Sequence, residues 1–356
     1  MRKTELNGIK IEYPDITGFV FNKSYVHAES ETVSISSATV TIGDFGVKFN
    51  AYGKSVTGDY SDLVKCLFRD VDYRPTYGDV SKMTTGKSIT SVLTITTTDG
   101  EETQFEWTSF YIWGAMKQGE KYNYQNKLVI FQGHPFTAGI YINSPRDIYI
   151  VRDGDFSNKI TLSLTEQGVY QIDLTVYGAE KTISIIDTNG RANVTTFDET
   201  FDYTFGYETM QELIRANIVN DYFEKKAYLR WINRHGNLSY WLFKMCDSET
   251  VISSDVFMRN DLNKWANSTG WAGTYGRRQM QSRSEYMTLC APLISRKDYD
   301  FIMDMASSPI VDIWDDINGK WKGVTVIEND YIKDEAEEMS DFVAKIEFEP
   351  TLIQRL

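Results

Sequence analysis

Apolar and polar residues alternate with a period of two along most of this chain. The clearest run lies near the C-terminus, where residues 342–348 read Phe-Val-Ala-Lys-Ile-Glu-Phe. Successive side chains of a β-strand point to opposite faces of the sheet, so this pattern places one face against a core and the other in water. The pairs Asp99-Gly100 and Asn318-Gly319 supply the positive φ angles that tight hairpin turns require. The fold class is therefore predicted to be mainly β with a few short helices (α+β).

Three segments of different character divide the 356 residues. Because domains usually contain about 100–200 residues, a chain of this length holds more than one packed unit. Residues 1–145 are predicted to form a β-rich N-terminal unit with one short helix, at 60–69. Residues 146–190 alternate in short runs between turn residues, which predicts an immunoglobulin-like β insert that buries its own core. We expect that deletion of 146–187 leaves the assembly of the protein with itself intact. Residues 207–356 are predicted to form a further β domain.

Two helices are predicted within the last of these segments. A Thr-x-x-Glu capping box predicts a helix near 209–217. The helix near 296–306 begins after Ser295, and Pro309 ends it because proline cannot continue the hydrogen-bond ladder. Two hairpins complete the segment, at 227–244 and 310–327.

The charge of the chain limits its partners. Its 37 Lys and Arg stand against 50 Asp and Glu, which gives a net charge of −13. Tight nucleic-acid binding by the whole surface is excluded, because it needs a basic footprint. The N-terminus lacks the apolar core of a secretory signal, and no run of about eighteen apolar residues occurs, so we expect synthesis in the cytoplasm and no membrane insertion.

Motifs for catalysis and metal binding fail in detail. Residues 53–55 and 86–88 both read Gly-Lys-Ser, like the end of a phosphate-binding loop, but Lys48 and Ser81 occupy the positions of the required first glycine. None of the three histidines has a second ligand at metal spacing, and the three cysteines are too far apart in sequence for a disulfide framework or a metal knuckle. The histidines are His27, His134 and His235, and the cysteines are Cys66, Cys246 and Cys290. We expect no enzymatic activity, no cofactor and no metal.

Tryptophans offer two interpretations. Aromatic planes stack on sugars, whereas Trp and Tyr are also enriched in cores and subunit interfaces, and we favour the second interpretation. The residues concerned are Trp107, Trp113, Trp231, Trp241, Trp265 and Trp271.

The C-terminal segment resembles a known family. Its order of hairpin, helix, hairpin and strand, with the run Tyr-Leu-Arg-Trp-Ile-Asn-Arg-His-Gly-Asn-Leu-Ser-Tyr-Trp-Leu-Phe at 228–243, is similar to structural tail proteins of tailed bacteriophages and prophages of Bacteroidetes hosts, nearest to the distal tail or tail-tip type. The resemblance covers 207–356 and, less closely, 15–75. No catalytic motif defines that family, so no functional residue is carried over.

This resemblance implies a tail-tube-like β-barrel or sandwich body that assembles with itself, as a hexamer, into a ring that continues the tail tube. Other tail proteins would be its partners, DNA would meet it only in passing, and the insert would face outward toward a host surface glycan. Its location would be the virion tail, assembled in the cytoplasm of the host bacterium.

Two groups of residues are candidates for roles in such a ring. The polar and aromatic loop 259–283 is predicted to clasp a neighbouring subunit. Its candidate interface residues are Trp265, Trp271, Arg277, Arg278 and Arg283, with Arg277 and Arg278 meeting acids such as Glu335, Glu337 and Glu338. The candidate border of an acidic channel comprises Glu328, Asp330, Asp334, Glu335, Glu337, Glu338 and Asp341, although such a charge run is also typical of a solvated outer loop.

An adhesin is the competing interpretation. An immunoglobulin-like insert and exposed aromatic side chains would suit a carbohydrate- or receptor-binding module. Oligomeric state separates the two, because a ring with a central channel favours the tail protein and a monomer with glycan affinity favours the adhesin.

Overall fold

The computed structural model describes residues 1–116, 128–187, 201–205, 208–220, 223–257, 265–266, 270–271, 277–327, 331 and 338–350, with side chains described outside 201–212 and 255–281. Two compact units are present. The first unit comprises Met1–Asp221 with Ile232–Ser239, and the second comprises Tyr222–Trp231 with Tyr240–Leu356. Most described residues lie in strands, and two α-helices occur among them, which confirms the mainly β prediction.

The described residues of the first unit form eighteen strands and one α-helix. In chain order they are β1 Arg2–Leu6, β2 Ile9–Tyr13, β3 Thr17–Phe19, β4 Tyr25–Ser30, β5 Ile35–Ile42, β6 Phe45–Asn50, β7 Ser55–Asp59, α1 Ser61–Cys66, β8 Val80–Met83, β9 Gly86–Thr97, β10 Glu102–Ile112, β11 Leu128–Phe131, β12 Thr137–Ile142, β13 Arg146–Arg152, β14 Asp155–Leu164, β15 Gly168–Asp173, β16 Thr182–Asp187, β17 Phe201–Phe205 and β18 Glu208–Val219.

These strands form four sheets. The first has the order β1-β2-β4-β7 and the second β3-β10-β9-β5-β6. The third has the order β11-β18-β16-β13-β14, with β17 also paired to β18, and the fourth has the order β12-β15-β8. The first two sheets share one hydrophobic cluster, which includes Ile11 of β2, Val40 of β5 and Leu93 of β9, each fully buried. This sharing makes them two layers around a single core.

Local signals set the shape of this core. The hairpin of β9 and β10 turns at Gly100, which has φ 86° as the Asp-Gly pair predicted. Helix α1 confirms the short helix predicted at 60–69. The carboxylate of Asp59 accepts a hydrogen bond from the backbone N of Ser61 at 3.0 Å, which satisfies one of the donors left open at the helix start.

Strands of the segment 146–190 pair with strands outside it, although a small hydrophobic cluster that includes Val151 and Ile186 lies within the segment. Its strand β15 pairs with β12 and with β8, which belongs to the predicted N-terminal unit. Its strand β16 pairs with β18, from the predicted C-terminal domain. Strand β15 is buried on both faces and ends at Asp173, and a 3-10 turn over Thr175–Tyr177 follows it.

The helix predicted near 209–217 is wrong, because these residues lie within strand β18. This strand pairs with β16 along Gln211–Asn217, and a register shift between Ile185 and Ile186 interrupts the ladder. Leu213 and Ile214 are both buried although they are adjacent. Their adjacency resembled a helical face in the sequence, whereas in the sheet it accompanies the bulge.

The second unit contains a closed barrel with the order β19-β20-β23-β26-β25-β24. Its elements are β19 Lys226–Ile232, β20 Leu238–Phe257, β21 Trp265–Ala266, β22 Gly270–Trp271, β23 Arg277–Ser295, α2 Arg296–Ser307, β24 Val311–Asp315, β25 Lys320–Val326 and β26 Met339–Phe348. Strands β21 and β22 pair only with each other among the described residues. This barrel lies within the unit that comprises Tyr222–Trp231 and Tyr240–Leu356.

Helix α2 confirms the helix predicted at 296–306. The Ser295 hydroxyl accepts a hydrogen bond from the Asp298 backbone N at 3.2 Å, the N-cap interaction expected of serine. The helix packs on β23 and β26, and its Phe301 ring lies 5.3 Å from the fully buried indole of Trp231. Burial of such large rings is the main apolar contribution to this core.

Candidate subunit interface

A two-stranded ribbon extends from the barrel of the second unit. Strand β23 pairs with β26 from Tyr286 onward and, among the described residues, 277–285 pair only with β20. On β20, residues 249–257 likewise pair only with β23 in the described part of the chain. The ribbon is defined here as 249–257 with 277–285, and nine residues of extended strand span about 30 Å.

Both faces of the ribbon are open to solvent where side chains are described. Val251 is 41% exposed and Ile252, on the opposite face, is 61% exposed. Across from Ile252 lies Arg283, whose guanidinium pairs with Glu285 at 2.6 Å. The ribbon thus presents apolar and charged groups side by side, and the outer edges of both its strands are unpaired within the described residues.

The base of the ribbon is tied to the barrel through Lys345 of β26. The Lys345 ammonium lies 2.5 Å from the Glu249 carboxylate and 4.6 Å from the centre of the Tyr286 ring. Glu249 is the first ribbon residue on β20. Tyr286 is the residue of β23 at which the pairing with β26 begins. These contacts link the first residues of the ribbon to β26 of the barrel.

Strand structure replaces part of the predicted 259–283 loop. Arg277, Arg278 and Arg283 lie in β23, opposite Phe257, Val256 and Ile252 respectively. Trp265 and Trp271 face each other in the short hairpin of β21 and β22. The side chains of these two tryptophans and of Arg277 and Arg278 lie outside the described residues.

Sequence analysis missed the role of β20 in this ribbon. A signal was present, because residues 238–257 contain neither glycine nor proline, so no turn residue interrupts a twenty-residue strand. A long strand predicted from this signal would have included Glu249, Val251 and Ile252. The contact between Lys345 and Glu249 could not have been predicted, since it depends on the closure of the barrel.

Most of the candidate acidic border falls outside the described residues. This holds for Glu328, Asp330, Asp334, Glu335 and Glu337, and so for the predicted contacts of Arg277 and Arg278 with that run. Glu338 and Asp341 are described, and both are exposed. The Asp341 carboxylate accepts a hydrogen bond from the Leu293 backbone N at 2.7 Å.

Buried charges of the second unit have structural partners. The Arg230 guanidinium lies 2.8 Å from the Asp312 carboxylate, and it stacks 4.4 Å from the centre of the Trp321 ring. Trp231 is fully buried, as is nearly all of Trp107 in the first unit, so these two tryptophans belong to cores and not to a sugar-binding face. The Asp312 carboxylate offsets the free-energy cost of burying the charge of Arg230.

The first unit contains a cleft of about 460 Å³. It is lined by residues 130–135, by Leu174, Thr175, Gly178 and Ala179, and by Ile218. The Thr175 hydroxyl donates a hydrogen bond to the Asp173 carboxylate at 2.6 Å, which holds the turn beside the cleft in place. The lining is a mixture of apolar side chains with amide, imidazole and hydroxyl groups.

Neither a metal site nor a membrane span is found in the part of the chain that the structure describes. No group of three or more His, Cys, Asp or Glu side chains there is placed to hold a metal ion. The described helices include none with the length and apolar character needed to cross a bilayer.

Comparison with known proteins gives little. No protein-family model matches the chain, and no curated protein matches it. A solved structure described as "Structural insight into host cell surface retention of a 1.5-MDa bacterial ice-binding adhesin" aligns with 8% identity over 93% of this chain and 91% of that chain, at a TM-score of 0.19. A TM-score this low shows no shared fold.

Proposed function

We propose that this protein is a non-enzymatic structural component of a phage tail, a ring of the distal tail or tail-tip type that continues the tube and connects it to the host-recognition apparatus. The observation that carries the proposal is the ribbon 249–257 with 277–285. The closed barrel beside it is the kind of body that the resemblance at 228–243 implies for such rings.

An isolated two-stranded hairpin is at best marginally stable in water. Long strand edges with exposed apolar residues pair readily with other chains, and most proteins protect them. An unprotected edge of this kind therefore favours a role in binding another chain. Ile252, 61% exposed, and the unpaired outer edges of the ribbon meet this description. A second copy of the chain supplies the cover that the ribbon lacks.

A ribbon that packs on a different part of the next copy makes a heterologous contact. Such contacts generate closed rings when the rotation between copies closes, as a tail tube requires. Strand β23 runs without a break from the barrel into the ribbon, which suits this geometry because the ribbon then projects from the barrel of every copy in the same way. The ring number proposed is six.

Oligomeric state tests this function. We expect native mass spectrometry and electron microscopy of the full chain to find a closed ring with a central channel. The double variant Val251→Lys with Ile252→Lys should lose the ring while circular dichroism remains unchanged, since charges replace the exposed apolar surface of the ribbon.

A matched control is Val176→Lys, because Val176 is 50% exposed on the first unit and its substitution should leave the ring intact. A wild-type chain that stays monomeric at every concentration tested contradicts the proposal. If the double variant assembles as well as the wild type, the ribbon is not part of the subunit interface.

A second candidate function is a carbohydrate-binding adhesin module, favoured by the cleft of the first unit. Its volume of about 460 Å³ lies within the range of small-molecule sites. Its lining by Thr175, Gln132 and apolar side chains is suitable for a sugar ring. A glycan array and the variant Ala179→Trp, whose indole would occupy the cleft, test this function. Glycan binding by a chain that forms no ring, lost in Ala179→Trp, would favour the adhesin over the tail protein.

A further inference from the structure

Two cysteines that are distant in sequence are neighbours in the barrel. The pairs Lys244–Cys290 and Ser248–Met287 lie on either side of a bulge in β20 that contains Cys246. Residues two apart on a strand share a face, as do residues directly opposite each other, so Cys246 and Cys290 are diagonal neighbours on one face. Both thiols are free.

This face is the outer face of the barrel. Leu289 and Ala291, the chain neighbours of Cys290, are buried and point inward. Cys290 itself is half-buried, and Cys246 is exposed. A reagent in solution can therefore reach Cys246 directly, and Cys290 lies next to the site of attack.

We propose that Cys246 and Cys290 form an oxidisable dithiol, which closes to a disulfide between β20 and β23 when the protein passes from reducing to oxidising surroundings and meets a low-molecular-weight disulfide. This modification site is independent of the proposed ring.

The chemistry is two successive thiol–disulfide exchanges. The Cys246 thiolate, after loss of its proton, attacks one sulfur of the small disulfide, forms a mixed disulfide and releases one small thiolate. The Cys290 thiolate then attacks Cys246 Sγ, forms the Cys246–Cys290 bond and displaces the second small thiolate. Two electrons and two protons leave the protein dithiol, and one small disulfide is reduced to two small thiols.

The surroundings of Cys290 agree with this order of attack. Burial, with smaller contributions from the neighbouring Cys246 and Asp341, raises the pKa of the Cys290 thiol to about 11. At neutral pH Cys290 is almost entirely protonated, so the exposed Cys246 is the first nucleophile. Closure waits for the Cys290 proton to leave, and its rate should rise about tenfold for each pH unit between 7 and 9 if the thiolate fraction alone limits it.

The position of the bond gives it a mechanical consequence. It would join β20 and β23 next to the pair Glu249–Tyr286, where the ribbon leaves the barrel. A cross-link that closes the loop 246–290 restricts the unfolded chain, and we expect it to raise the melting midpoint of the second unit by about 5–10 °C. Because Cys246 is exposed, the bond should be reducible again by dithiothreitol.

The test uses the full chain with Cys66→Ser, which removes the remaining cysteine, a surface thiol on α1. The protein is incubated with oxidised glutathione and analysed by intact mass and by non-reducing peptide mapping. We expect a loss of two hydrogen atoms, a 246–290 cross-linked peptide and the raised melting midpoint, all reversed by dithiothreitol.

The single variants Cys246→Ser and Cys290→Ser, both conservative and outside the core, serve as controls. Cys290→Ser should stop at one glutathione on Cys246, and Cys246→Ser should react more slowly because its remaining thiol is half-buried. A chain with both cysteines that ends as a stable glutathione adduct, or that does not react, overturns the proposal.

Discussion

Gly236 lies in the turn between β19 and β20, in a backbone conformation that few other residues adopt. Its φ is 78°, and a Cβ there would lie 2.1 Å from the carbonyl oxygen of Trp113. Asn233 closes the same turn, because its side-chain oxygen accepts hydrogen bonds from the backbone N of His235 at 3.0 Å and of Asn237 at 3.1 Å. The turn is therefore fixed both by backbone conformation and by close packing.

We predict that Gly236→Ala lowers the free energy of unfolding of the first unit by about 3 kcal/mol or more, since backbone strain adds to a clash with main-chain atoms. Gly43→Ala is the matched control. Gly43 has φ 56° with nothing within 4 Å of its Cβ position, so its substitution should cost only about 1 kcal/mol. Urea unfolding followed by circular dichroism measures both, and equal losses would contradict the clash.

Asp153 gives the first unit a dependence on acid. Its carboxylate accepts hydrogen bonds from three consecutive backbone N–H groups, those of Glu180, Lys181 and Thr182, at 3.0, 2.7 and 2.9 Å. These bonds favour the ionised form and lower the pKa of Asp153. A lowered native pKa means that the stabilisation is complete above the unfolded-state pKa of about 3.9 and is lost as the pH falls through the native value.

We expect Asp153→Asn to be less stable than wild type near pH 7, and the difference to shrink as the pH falls below about 4. Asparagine tolerates the left-handed conformation that Asp153 adopts, with φ 49°, so the turn itself should survive. Melting midpoints across the acid range measure the effect. Parallel curves for the two proteins would show that the three hydrogen bonds do not depend on the charge.

At the scale of elements, the sequence predicted structure where the determining residues are close together. The hairpins at Gly100 and Gly319 and the helix capped by Ser295 each depend on a few adjacent residues. Strand β18 depended instead on pairing with β16, which no local pattern records. A capping box and two adjacent apolar residues were compatible with a helix, and tertiary pairing overrode them.

The same reason explains what could be predicted of the candidate interface. The arginines and tryptophans at 265–283 predicted an interface from composition alone. The ribbon itself depends on the pairing of β20 with β23 beyond the barrel. That pairing joins residues about 30 positions apart. Likewise the proximity of Cys246 to Cys290 could not be predicted from their separation in sequence.

Deletion of 146–187 tests the shared sheets of the first unit. Three strands of this segment belong to the third sheet and one belongs to the fourth. Six of its isoleucines are fully buried, namely Ile148, Ile150, Ile172, Ile183, Ile185 and Ile186. We expect the deleted chain, bridged by a short Gly-Ser linker, to lose the fold of its first unit, since β8 and β12 lose their shared partner β15 and β18 loses its partner β16.

Limited proteolysis and circular dichroism of the deleted chain measure this outcome. The bridged chain should be cleaved rapidly within 1–145, whereas the wild-type protein resists. A deleted chain that keeps a cooperative unfolding transition for residues 1–145 would restore the interpretation of 146–190 as an independent insert.

At the scale of the whole molecule, the two units cannot be read from contiguous sequence. Residues 232–239 belong to the first unit, although the chain on both sides of them belongs to the second. Net charge, in contrast, follows directly from composition, and each copy in an assembly carries −13. Six copies would carry −78, which is six times −13, and this favours repulsion of other polyanions.

A tail channel must let DNA pass without holding it. Each lysine or arginine that contacts phosphate releases counterions and strengthens binding, most of all at low salt. An acidic wall avoids this, and a confined channel screens charge less than open solvent does. The exposed Glu338 is the described carboxylate of the candidate border that accepts no hydrogen bond from the backbone in the described part of the chain.

We therefore predict that the assembled protein does not retard duplex DNA in a gel-shift assay even at low ionic strength. The variant Glu338→Lys adds one positive charge per copy where a negative one stood, and a ring with this residue on its channel should gain salt-sensitive DNA binding. Retention of DNA by the wild-type ring would contradict an acidic channel. Binding by neither protein would leave the wild-type prediction intact and place Glu338 away from the channel, on the solvated outer surface that a charge run also fits.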